Sequence, residues 1–195
     1  MKQRITAAIL AGGKGIRLIA HKGLLEIEGI PIIKRQLEIL RPIFDNIIIV
    51  TNSPELYKGL DAALISDIVL NKGPLGGICS ALKQSETAYN FVVASDMPCL
   101  NSLLIRYMSS KISGYDAVVP ELDGRLEPLH AFYAKTCLSV IENQLKNDNL
   151  KITDFLAHVR IEKVSKEELS QFDPKQLSFL NINTPKDYEK VKQQM

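Results

Sequence analysis

The chain has 195 residues, 46% of them hydrophobic and 24% charged, with a formal net charge of +2. That is enough for one globular domain with a sizeable core, and the near-neutral balance gives no electrostatic reason to expect nucleic acid or a membrane as partner. Cys79, Cys99 and Cys137 form no CxxC pair and the three histidines are scattered, so a zinc site is not expected; with no apolar run of transmembrane length, the expectation is reduced thiols in a cytoplasmic protein.

The first element is "ITAAIL" (5–10), an apolar run of the kind buried on both faces of a parallel sheet. A glycine-rich loop, 11–22, follows it. Pro31 is expected at the first position of a helix whose Ile33, Leu37 and Leu40 recur at helical spacing. "NIIIVT" (46–51) and "NFVVAS" (90–95) are further strands, with "ALISD" (63–67) and "DAVVPEL" (116–122) weaker ones. Helical patterns cover 75–86 and 101–112. "HAFYA" (130–134) reads as a strand, 136–146 as a helix and "FLNIN" (179–183) as a last strand. "TPKDYEKV" opens a final helix with Thr184 as N-cap and Pro185 behind it. This alternation predicts an α/β fold in three layers, Rossmann-like, with a mostly parallel sheet and helices on both faces. One domain is expected over residues 1–195, with 113–160 as an antiparallel insertion covering the substrate.

Ligands of open α/β sheets bind beyond the carboxyl ends of strands, where the 11–22 loop leaves the first strand. Glycines allow backbone N–H groups to approach phosphate oxygens, and Arg17 and Lys22 add charge-assisted hydrogen bonds. The loop is neither a Walker A motif nor GxGxxG: after Gly13 and Gly15 the sixth position is Leu18. Asp96 ends a strand facing the same crevice. One such carboxylate with substrate phosphates suits Mg²⁺, although a turn or N-cap aspartate would read the same way. Gly73, Gly76 and Gly77 enter a helix, where they permit close approach of a ligand or close packing of helix on sheet. Asn181 and Asn183, two apart at the end of "FLNIN", would face the same way. Arg125 is a candidate contact for an anionic second substrate, and His130 reads as a satisfied histidine within a strand.

These residues together carry a resemblance to the molybdenum cofactor guanylyltransferases of the nucleotidyltransferase superfamily. The family opening LAGGxSxRMGxDKxLLxxxGxPLL is matched by Leu10-Ala11-Gly12-Gly13, Arg17, Lys22, Leu24-Leu25, Gly29 and Pro31. Gly73-Pro74-Leu75 with Gly77, Asp96-Met97-Pro98, Glu127-Pro128-Leu129 and Asn181-Ile182-Asn183-Thr184-Pro185 follow in the family's order. The resemblance implies a fold of the nucleotide-diphospho-sugar transferase type and Mg²⁺-dependent transfer of GMP from GTP to molybdopterin, with pyrophosphate released. It also implies transient contact with other proteins of molybdenum cofactor synthesis. Carried over, Lys22, Arg17 and Asp96 are the catalytic set, with Asp96 the metal ligand. Leu10, Ala11, Gly12, Gly13, Gly15, Lys22, Asp67, Gly73, Gly77 and Asp96 bind the nucleotide, and Arg125, Asn181 and Asn183 meet the second substrate. The chain departs from the family pattern at Ile19 (a glycine there), His21 (an acid) and Lys151 (often an arginine). Two other readings stay open: a relative using CTP or a sugar-phosphate acceptor, and a nucleotide-binding partner protein with little catalysis.

Overall fold

The computed structural model describes residues 4–12 and 22–194. β1 (Ile5–Leu10) enters the core at once, buried from its second residue. A three-residue helical turn, Lys22–Leu24, precedes a hairpin of β2 (Glu26–Ile27) and β3 (Ile30–Pro31). Glu28 and Gly29, both at positive φ, turn this hairpin in the manner that suits two-residue connections. α1 (Ile32–Leu40), β4 (Asn46–Val50), β5 (Ala63–Ile65), α2 (Gly73–Gln84), β6 (Tyr89–Ala94) and α3 (Ser102–Ser110) complete the first half. β7 (Ala117–Leu122), β8 (Arg125–Leu126), β9 (His130–Ala134), α4 (Leu138–Lys146), α5 (Ile152–Leu156), β10 (Ile161–Val164), α6 (Lys166–Ser170) and α7 (Pro185–Lys192) follow.

The main sheet runs β10-β7-β9-β6-β1-β4-β5, with β8 attached to β7. β1 is parallel to β4 and β6, β4 to β5, and β7 to β10, while β9 runs against both β6 and β7. Side chains alternate along each strand and so feed two apolar layers. Ala7, Ile9, Phe91, Val93 and Phe132 meet α1, α3 and α6 on one face. Ala8, Leu10, Val92, Ala131 and Tyr133 meet α2, α4 and α5 on the other. This is the three-layer α/β arrangement expected from the alternation.

Several local expectations need correction. Pro31 is the N-cap of α1, not its first helical residue, because its backbone is still paired with Glu26 in the small hairpin. "FLNIN" is no strand. Asp173 accepts hydrogen bonds from the N–H groups of Leu177 and Ser178 and bends 177–179 into a helical turn. Beyond that turn the chain is extended, and Ile182 makes one backbone bond, to Asp96 O at 3.0 Å. Within 113–160, β7 and β9 are integral strands of the central sheet, antiparallel to each other. The short β8 forms a hairpin with β7 through Asp123 and Gly124, both at positive φ.

Candidate active site

The carboxyl ends of β1, β4, β5 and β6 share one edge of the sheet, and the chain leaving each strand is stitched to its neighbours. Ala11 N–H donates to Val50 O (2.9 Å) and Ser95 N–H to Leu10 O (3.1 Å). The base of the glycine loop is therefore fixed between the ends of β4 and β6. Gly13, Gly15, Arg17, Ile19 and His21 lie outside the described residues; Leu10, Ala11, Gly12 and Lys22 lie within them.

The Lys22–Leu24 turn packs directly on the segment after β6. A Cβ on Gly23 would stand 3.0 Å from Ser95 Cβ, so this approach depends on the missing side chain. It carries Lys22 to Asp96. Nζ lies 2.9 Å from Asp96 Oδ2 and also donates to Asn183 Oδ1. Both members of the ion pair keep partial solvent access, 25% and 18% of their side-chain surfaces. Asp96 is a turn residue, as one reading allowed, yet it caps no helix: Asn101 caps α3. Asn181 and Asn183 are both exposed with Ile182 buried between them, so they share a side as the alternation required, although no sheet ladder holds them. The structure thus brings Lys22, Asp96 and Asn183 together across 161 residues of sequence.

A second cluster lies at the end of β5. Asp67 and Asn52 form a reciprocal pair: Asp67 N–H donates to Asn52 Oδ1 (3.1 Å) and Asn52 Nδ2 to Asp67 Oδ2 (2.9 Å). A Cβ on Gly12 would lie 3.7 Å from Asp67 Oδ2, which places the loop beside this carboxylate. Asp67 Oδ1 is buried with no partner among the described residues. Burial raises the Asp67 pKa, and hydrogen bonding from Asn52 opposes the shift. Gly77 packs on Leu10, whose Cδ atoms would be 3.3 Å from an added Cβ, so the close-packing role holds there. Gly73 has open space around it, and its φ of +57° where α2 begins favours glycine.

Other expected residues lie elsewhere. Arg125 is exposed on the β7–β8 hairpin and makes no contact with Lys22, Asp96 or Asn183. Lys151 pairs with Asp154 at the start of α5. His130 is in the core, but it is not satisfied: neither ring nitrogen has a partner among the described residues. The ring meets Phe91 edge-on (5.1 Å, 82°), and burial pushes its pKa down to about 4.

Sequence reasoning missed three residues. Asn52 gives no signal in sequence. Glu127 carries a signal only within the Glu127-Pro128-Leu129 motif; it is half-buried just before β9, and burial raises its pKa. Gln36 did carry a signal, as an amide within the apolar stripe of Ile33, Leu37 and Leu40. For a metal, no group of three acidic, histidine or cysteine side chains occurs among the described residues. Asp96 engages Lys22 through Oδ2 alone among them, leaving the carboxylate with capacity for a cation that draws its other ligands from phosphates and water. Among the described residues no helix is long and apolar enough to cross a membrane.

The chain matches the MobA-like NTP transferase domain over residues 7–164. It is 36% identical to a probable molybdenum cofactor guanylyltransferase of Natranaerobius thermophilus, covering 98% of this chain and 97% of that one. It is also 36% identical to a molybdenum cofactor guanylyltransferase of Syntrophotalea carbinolica, covering 97% and 91%. The crystal structure of molybdopterin-guanine dinucleotide biosynthesis protein A from Archaeoglobus fulgidus superposes with a TM-score of 0.84 at 28% identity, over 96% of this chain and 97% of that one. A cytidylyltransferase of Thermus thermophilus, at 15% identity and TM-score 0.73 over 98% of each chain, shares the fold.

Proposed function

The chain belongs to the MobA-like NTP transferase family, and from that premise we propose that it transfers GMP from GTP to the terminal phosphate of molybdopterin. The products are pyrophosphate and molybdopterin guanine dinucleotide. Nucleotidyl transfer is the activity of the family; the guanine base and the pterin acceptor are our reading, supported by the names its relatives carry. The observation that bears most on it is the contact of Lys22 with Asp96 and Asn183 at the edge where the glycine loop leaves β1.

In this reading an oxygen of the acceptor's phosphate attacks the α-phosphorus of GTP, and the bond from that phosphorus to the β-phosphate's bridging oxygen breaks. The step needs alignment and charge stabilisation rather than a protein nucleophile. Backbone amides of Gly12, Gly13 and Gly15 bind the phosphates, with Ala11, whose own N–H is tied to Val50 O, fixing the base of the loop beside them and Lys22 and Arg17 neutralising charge that builds on the departing pyrophosphate. Leu10, Gly73 and Gly77 border the base, and Asp67 accepts a hydrogen bond from the nucleoside. Arg125, Asn181 and Asn183 receive the acceptor. Asp96 holds Mg²⁺, which when bound supplies electrostatic stabilisation to the phosphate oxygens.

Purified protein incubated with GTP, Mg²⁺ and molybdopterin should yield the dinucleotide, read by mass spectrometry, with matching pyrophosphate. Retained GTP binding without dinucleotide would leave a binding protein instead. A higher kcat/KM with CTP, or with a sugar-phosphate acceptor, would reassign the substrates.

A further inference from the structure

Asp96 is presented by a turn whose own hydrogen bond is weak: Met97 N–H reaches Ala94 O only at 3.4 Å, near the outer limit for such a bond. The two carbonyls that bracket the turn are instead held from α1. Gln36 Nε2 donates to Ala94 O at 2.8 Å and to Met97 O at 2.9 Å. Because both partners are acceptors, the amide can face them only with its nitrogen, so its orientation is fixed. Its oxygen is then directed away, buried and without a partner among the described residues. The side chain is fully buried.

An amide in this position is costly for stability. Leucine or methionine would fill a similar volume on the apolar face of α1 without the unpaired Oε1, but would leave Met97 O without its donor. We infer that Gln36 is a positioning residue, which fixes the Asp96 turn so that the carboxylate meets its cation in one geometry. Two other contacts grip the same residues: Ser95 N–H on Leu10 O, and Ile182 N–H on Asp96 O. Both come from segments that border the proposed substrates, the glycine loop and the Asn181–Asn183 segment. Gln36 is the brace from the interior, and it fixes the turn whether or not either substrate is bound. This inference rests on the reading of Asp96 as the metal ligand.

The test uses Gln36→Leu and Gln36→Met in the full chain. Each should fold, with a melting temperature a few degrees below that of the parent because Met97 O loses its donor. Amide hydrogen exchange at Ser95 and Met97 should accelerate about tenfold, and the Mg²⁺ concentration for half-maximal turnover should rise about tenfold or more, with saturating Mg²⁺ restoring most of kcat. Parent-like exchange and Mg²⁺ dependence in both variants would overturn the inference. So would loss of fold in both, which would make Gln36 a core residue only. Asp96→Asn in the same assay separates the two ideas: if that change leaves the Mg²⁺ dependence intact, the metal assignment fails, whatever Gln36 does.

Discussion

Lys22 is held between two oxygen acceptors, Asp96 and Asn183, so its ammonium group is fixed at the end of the sheet where the proposed reaction would gather negative charge. Replacing it with alanine should weaken triphosphate binding and lower kcat by about 10²-fold or more, measured by calorimetry and steady-state kinetics. Asp96→Ala should abolish Mg²⁺-dependent turnover and leave the far-UV circular dichroism spectrum unchanged, because the ion pair is partly open to solvent and adds little to stability. His130 makes a different prediction. In the fold the ring stays neutral down to about pH 4, whereas in the unfolded chain it takes up a proton below its ordinary value of 6.5. The unfolded state binds more protons in that window, so stability is lost as pH falls from 6.5 towards 4, by about 3 kcal/mol in full. Urea unfolding of the parent and of His130→Leu across this range should show a flatter pH dependence in the variant.

At the scale of elements, α3 offers a clean measurement. Asn101 Oδ1 accepts from Leu103 and Leu104 N–H (2.9 and 3.1 Å), while Nδ2 donates to Phe172 O at 2.9 Å. Asn101→Ala removes a cap and a tie to the 172–179 segment at once, and should cost about 1–2 kcal/mol in chemical denaturation. Which elements could be read from the chain follows from what holds each one. β1 and β9 are buried on both faces, so continuous apolar runs marked their boundaries correctly. "FLNIN" has the alternation of a strand, but strand identity also requires a partner edge, and Asp173 had already committed the preceding residues to a turn. α5, β10 and α6 leave no clear pattern in the chain, because each is four or five residues long and buries only one or two of them, unlike the five buried residues of β9. In the site, Lys22, Asp96 and Asn183 could be picked out by residue type, although only Asp96 follows a strand. Their mutual contact could not, because it depends on Gly23 packing against Ser95. The Asn52–Asp67 pair was likewise beyond reach, since nothing local links residues from two different loops.

Across the whole molecule, the two apolar layers share the same strands: Phe91 and Val93 serve one face of β6, and Val92 the other. Neither layer can come apart without exposing the sheet that supports its counterpart. Phe91 stacks on Phe44 (5.6 Å) and touches both His130 and Phe132, at the centre of one layer. Phe91→Ala should cost about 3–5 kcal/mol. Thermal unfolding followed by far-UV circular dichroism and by tyrosine fluorescence should remain one coincident transition in parent and variant. Separate transitions would show that the layers behave as distinct units. The reversed direction of β9 has a consequence for how such a scaffold diversifies. Along the rim, the half that bears the glycine loop is built where strands finish, whereas the neighbouring wall is built where β9 starts, after the Asp123–Gly124 hairpin. Insertions in that hairpin can reshape the wall without changing the register of β1, β4 or β5, so one side of the rim is free to vary in shape while the side beneath the glycine loop keeps its geometry.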